Sequence, residues 1–174
     1  MMGGALLANM LCSAAFTLSL PNSEYACRYM DLVVKHSQAN DVEPEVLVAL
    51  IHEESRWTSS AVSRAGACGL TQVLPKYTKP RRTCSDLKKP RIAIKVGAKT
   101  LSYWVYEHGG GDYLKGLCGY NGGNKCGTSS KRYAKRVMRL ARRLNSDIAK
   151  QRAYYNFLQS LNMDISVDPS TEEK

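Results

Sequence analysis

The sequence predicts one mainly helical domain, and three observations predict it. Apolar residues recur at helical spacing in several segments. No stretch alternates convincingly with period two. Gly and Pro gather between the periodic segments rather than inside them. At 174 residues the chain can bury roughly two-thirds of its unfolded surface around a single core. No internal repeat or linker divides it.

The first 23 residues carry no charged side chain. The run from Ala5 to Leu20 suits a signal peptide or anchor, with small residues at Ser13 to Ala15 and Thr17 to Ser19 for cleavage. It lacks a leading Lys or Arg, and a retained apolar helix fits as well. For a membrane span it is short and polar-flecked. The domain proper is expected over residues 24–150. "CRYMDLVVKHSQAN" reads as its first helix and "DVEPEVLVALIHEESRW" as its second. Pro44 sits near the start of that second helix, where a missing N–H costs nothing, and Asp41 or a neighbour is expected to cap it. Thr58 to Pro90 is irregular, with a short helix expected around Leu70 to Val73. A third helix follows Pro90, with Ile94, Ala98, Leu101, Trp104 and Val105 on one face, and "HGGGD" stops it. "DYLKGLCGYN" is a short helix running into a glycine-rich loop. The last helix begins near Lys131 and aligns Tyr133, Val137, Leu140, Ala141, Leu144 and Ile148. Residues 151–174 are read as the end of that helix and an acidic, disordered tail.

A net charge of +10 favours an anionic partner: nucleic acid, an envelope polymer or a membrane surface. The polar face of the last helix carries much of it, but no recognised nucleic-acid motif accompanies it. None of the six cysteines forms C-x-x-C, which argues against zinc and thioredoxin-like chemistry. Free thiols or disulfides remain. Cys68 and Cys84, and likewise Cys118 and Cys126, flank irregular loops and are expected to pair in an oxidising compartment. The pairing of Cys12 and Cys27 stays open. In "HEESR" the position four after His52 is Arg56, so the H-E-x-x-H zinc pair is missing, and His36 and His108 show no ligand spacing. No metal site is expected.

Two glutamates stand side by side in "IHEESRW". With Val46 at 0° and about 100° per residue, Leu47, Leu50, Ile51 and Trp57 fall between about 20° and 140°. Glu54 lands near 80°, inside that apolar stripe, and Glu53 near 340°, at its edge. Burial penalises a charged carboxylate and raises its pKa, which suits Glu54 to general-acid work. A capping or core-pairing role fits the same position.

Three stretches occur together and in order: "EES" at 53–55, "SRAGACGLTQVLP" at 63–75 and "GYNGG" at 119–123. Over roughly residues 27–148 the chain resembles the soluble lytic transglycosylases of the lysozyme superfamily. That resemblance implies a mainly α, lysozyme-like fold with a catalytic cleft, and an enzyme cutting peptidoglycan glycan strands between N-acetylmuramic acid and N-acetylglucosamine with 1,6-anhydro ends. It makes Glu54 the catalytic acid and base. Ser63, Gln72, Tyr120 and Asn121 become substrate-binding residues. It implies no cofactor, no nucleic acid, an isolated domain that is monomeric, and a place in the periplasm, the cell envelope or a phage virion, with any assembly partners undefined. A hydrolytic lysozyme of the same superfamily and a non-catalytic envelope-binding or virion module are the alternatives. The chain departs from the family pattern at Thr71, often Met, at Ser59, often Pro, and at Gly119 and Gly122, which replace alanines and are expected to loosen the loop. Its four loop-flanking cysteines look like added staples.

Overall fold

The computed structural model describes residues 3–161; the acidic tail expected beyond them lies outside the described residues. Eight α-helices follow one another: α1 (Gly4–Thr17), α2 (Ser23–Cys27), α3 (Met30–Gln38), α4 (Pro44–Ser55), α5 (Cys84–Leu87), α6 (Pro90–Tyr103), α7 (Tyr113–Gly122) and α8 (Thr128–Ser160). No strand occurs among the described residues, only isolated bridges.

α4 is the central helix. Val46 through Ile51 are each fully buried, because α3, α6 and α8 surround the helix on different sides. The wheel predicted one apolar stripe; Val48 and Ala49, off that stripe, are covered too. Pro44 opens α4 as expected. Asp41 does not cap it. Glu43 holds the cap position without a side-chain bond, and its N–H donates to the Tyr113 hydroxyl at 2.8 Å instead. Asp41 sits in a left-handed turn and accepts the Tyr106 hydroxyl through its carbonyl. α5 starts in a Thr83–Asp86 capping box, and Asp112 caps α7 by accepting from Leu114 and Lys115 N–H. These caps satisfy amide groups that the first helical turn leaves unpaired.

Residues 4–17 form α1, whose Ala8, Met10, Leu11, Ala14 and Ala15 join the same core as α3 and α8. Cys12–Cys27 ties α1 to α2, and the Gln151 side-chain amide donates to the Met10 carbonyl at 3.1 Å. No helix among the described residues is long and apolar enough to cross a membrane.

Leu70 to Val73 is not helical. Gly69 (φ 74°) and Gln72 (φ 47°) turn the chain too sharply, and short bridges join Cys68 to Val62 and to Val73. A Cβ on Gly69 would stand 1.8 Å from the Leu87 carbonyl oxygen, so only glycine lets this loop meet α5. Cys68–Cys84 bonds the loop to the same helix. Cys118–Cys126 joins α7 to the start of the turn before α8. The second and third disulfides are the pairings read from the sequence.

Candidate active site

Glu54 is the penultimate residue of α4. The next residue, Ser55, donates its hydroxyl to the Leu70 carbonyl (2.9 Å) and the Ile51 carbonyl (3.2 Å), fastening the helix end to the loop. Arg56 and Trp57 then take left-handed conformations in succession and reverse the chain, and the Trp57 ring is buried beneath. The helix therefore stops with Glu54 at its rim, half-buried and facing α8.

The two glutamates diverge there. Glu53 forms an ion pair with Arg136 at 2.9 Å on the protein surface. Among the described residues Glu54 has no cationic partner; the Tyr133 hydroxyl donates to its Oε1 at 2.6 Å. Burial pushes the Glu54 carboxyl up to about 7, the Tyr133 bond opposes the rise, and the neighbouring Glu53 charge adds to it. The sign follows from solvation: a carboxylate loses water's stabilisation more than a neutral acid does. Near neutral pH about half of such a group carries a proton to give.

Two tyrosines stand with it. The Tyr120 hydroxyl donates to the Thr71 carbonyl at 2.7 Å, joining α7 to the loop. Burial, then the Glu54 charge, lifts Tyr120 well above the ordinary phenol range, and the same two causes lift Tyr133. Both remain neutral hydrogen-bond donors. Thr71 is itself buried and donates to the Ala93 carbonyl at 3.0 Å, which pins the loop to α6. Gln72 spends both amide protons on the Ala61 (3.2 Å) and Gly69 (2.9 Å) carbonyls, leaving Oε1 as an acceptor.

The structure thus gathers Glu54, Tyr120 and the Thr71–Gln72 turn. Ser63 is exposed and builds its own turn, its oxygen accepting the Ala67 N–H at 3.1 Å; no hydrogen bond links it to Glu54. Asn121 is exposed beside Tyr120 near the end of α7. Gly119 and Gly122 do not loosen a loop. They lie in α7, where an added Cβ would come 2.3 Å from the Trp104 ring and 2.4 Å from the Ser130 hydroxyl, so they permit close packing. Sequence reasoning placed Tyr133 on the buried face of the last helix and missed its bond to Glu54. The available signal was chemical: a buried tyrosine hydroxyl needs a partner. Among the described residues no cluster of three or more His, Cys, Asp or Glu side chains could hold a metal.

The family model for the Transglycosylase SLT domain matches residues 31–141, well over half of the chain. The chain belongs to that family. Among curated SLT relatives, the soluble lytic murein transglycosylase of Salmonella typhimurium is 28% identical over 104 residues, covering 55% of this chain and 16% of that protein. The soluble lytic murein transglycosylase of Escherichia coli is 26% identical over 108 residues, again 55% and 16%. The chain spans about a sixth of the length of these relatives. The crystal structure of the 70-kDa soluble lytic transglycosylase from Escherichia coli superposes with a TM-score of 0.64 at 18% identity, over 78% of this chain and 29% of that one. This shows the shared fold, helical and lysozyme-like. The SLT match takes in α4, the 63–75 loop, α7 and the first half of α8, and so every residue gathered around Glu54.

Proposed function

We propose that this domain is a peptidoglycan lytic transglycosylase acting on glycan strands in the periplasm or cell envelope. The observation that carries the proposal is the half-buried Glu54 carboxyl, in no ion pair among the described residues, pushed by burial to about 7 and held by the Tyr133 hydroxyl. Protonated Glu54 donates to the glycosidic oxygen between N-acetylmuramic acid and N-acetylglucosamine. The C1–oxygen bond breaks, and the substrate's own N-acetyl oxygen stabilises the sugar cation in place of a second carboxylate. Glu54, now a carboxylate, takes the proton from the muramic acid 6-hydroxyl. That oxygen bonds to C1, a 1,6-anhydro ring closes and the acid is regenerated. Protons balance over the cycle, and no cofactor enters it. Tyr120 and the free acceptor of Gln72 line the sugar's approach, with Asn121 and Ser63 at its margin.

Hydrolysis would need a water activated by a second base, which inverting enzymes place roughly 6.5–9.5 Å from the acid. Of the carboxylates, Glu53, the one whose charge acts on Glu54, is paired with Arg136, and Asp86 and Asp112 cap α5 and α7. The three disulfides fit an oxidising compartment. Mass spectrometry of products from purified peptidoglycan tests the reading. Anhydro-ended fragments, about 18 Da below hydrolytic ones by the loss of one water, are expected. Reducing-end products would make the domain a lysozyme, and no cleavage would leave a binding module.

A further inference from the structure

The outer face of α8 carries a concave feature that the chemistry at Glu54 does not use. A groove of about 540 Å³ runs between α8 and the first turn of α7. Four cations line it, Lys135, Arg139, Arg142 and Arg143, and Met138 and Leu114 give it an apolar floor. All four cations are exposed, on the side of α8 opposite the core-facing Tyr133, Val137, Leu140 and Leu144. Among the described residues none of the four meets a carboxylate within 4.0 Å; the two ion pairs present lie elsewhere.

We infer that this groove binds a short acidic peptide, of the kind that peptidoglycan carries as stems on its muramic acid residues. The inference rests on the proposed function only for the source of the peptide. Guanidinium forks match carboxylates in a two-bond geometry, and three of the four cations are arginines. From Lys135 to Arg143 the helix rises about 12 Å. An extended peptide of about four residues spans that length. Small aliphatic side chains find partners in Met138, which adapts its shape, and in Leu114. Other polyanions fit less well. A nucleic-acid strand uses aromatic platforms for stacking, and no lining residue is aromatic. A membrane-bound helix buries a broad apolar face, whereas this groove offers only Met138 and Leu114 among four cations. The groove thus gives the domain a hold on the peptide side of its polymer while Glu54 works on the sugar side.

The test is fluorescence anisotropy of the full chain with fluorescein-labelled alanyl-glutamyl-alanyl-alanine bearing free carboxylates, against the same peptide with both carboxyls as amides. The acidic form should bind at least about 10-fold tighter. The Arg139→Gln, Arg142→Gln, Arg143→Gln variant, with an unchanged helical circular dichroism spectrum, should lose that preference. Arg142→Lys keeps the charge and removes the fork, and should lose part of it. Lys150→Gln with Arg152→Gln removes two charges of the same helix outside the groove and should change affinity less than about twofold. Equal binding of the two peptides, or equal loss in the control variant, would overturn the inference. So would tighter binding of a single-stranded oligonucleotide of matched charge, or no binding of the acidic peptide at all. Peptide binding is read without any cleavage. A chain that binds yet cuts nothing refutes only the proposed function, and one that cuts yet does not bind refutes only the groove.

Discussion

The two sides of the candidate site are held by different physics. On the Glu54 side, α4 is wrapped by α3, α6 and α8, and burial of Val46 through Ile51 fixes the helix by distributed apolar packing. On the Gln72 side there is no regular element. The loop is held by the Cys68–Cys84 bond, by Gly69 pressed against the Leu87 carbonyl, by Thr71 on the Ala93 carbonyl and by Tyr120 on the Thr71 carbonyl. Distributed apolar packing tolerates local change, since each fully buried aliphatic side chain contributes about 1.5–3 kcal/mol among many others. A loop held by a few bonds loses its shape when one is cut. The acid is therefore mounted on the robust side, and Gln72, proposed to meet the sugar, on the fragile one.

The largest expected effect breaks the helical side chemically and leaves its structure alone. Glu54→Gln keeps the shape and the acceptor for Tyr133 but supplies no proton. Assays on sacculi should show a loss at the upper end of the ~100- to 10,000-fold range for general acid–base catalysis, because one group serves in both directions. Glu53→Gln loses only a surface ion pair, for which about 0–1 kcal/mol is typical, and should keep most activity. A dead Glu53 variant with an active Glu54 variant would reverse the assignment.

The next effect falls on the loop side. Cys68→Ser with Cys84→Ser opens a link of sequence separation 16, and loops of that size are worth about 3 kcal/mol in the chain-entropy model. Thermal unfolding should show that loss, and activity should drop even where the protein stays folded, because Gln72 and the Thr71 carbonyl sit in the released loop. Full activity in a folded variant would mean the loop does not shape the site.

Legibility in the sequence divides along the same line. Periodicity located α3, α4, α6 and α8 and singled out Glu54 over Glu53, because helices packed on a core leave a 3.6-residue signature. It understated how deeply α4 is buried, since a stripe cannot report that three helices surround it. The loop has no period, and the expected helix at Leu70 to Val73 is absent; the positive φ of Gln72 is invisible in a residue type that rarely adopts it. Only the ordered motifs placed Gln72 and Tyr120 in one site, and none of the quoted motifs included Tyr133. Gly119 reads as turn chemistry in sequence and proves to be a contact with Trp104, which depends on a neighbour 15 positions away in the chain. The Asp41 cap failed for a similar reason, with Tyr113 arriving from α7 to take the Glu43 amide.

A smaller change sharpens the electrostatic contrast between the two glutamates. Tyr133→Phe removes the side-chain donor that Glu54 has among the described residues, and that donor favours the charged form. The Glu54 pKa should therefore rise above about 7. The acid must be protonated to act, so activity falls as pH climbs through its pKa, and in Tyr133→Phe this falling limb should move to higher pH. A hydrogen bond to a charged group is worth about 1.5–3 kcal/mol, which sets the upper bound on the shift. A limb that stays in place would mean the proton donor is some other group.

The most direct test is a titration of the Glu54 carboxyl carbon by nuclear magnetic resonance, assigned by its absence in Glu54→Gln. The account predicts a midpoint near 7, with the carboxyl protonated below it. A midpoint near 4.3, the ordinary value for an exposed glutamate, would contradict it, for such a group is ionised at neutral pH and has no proton to give the glycosidic oxygen.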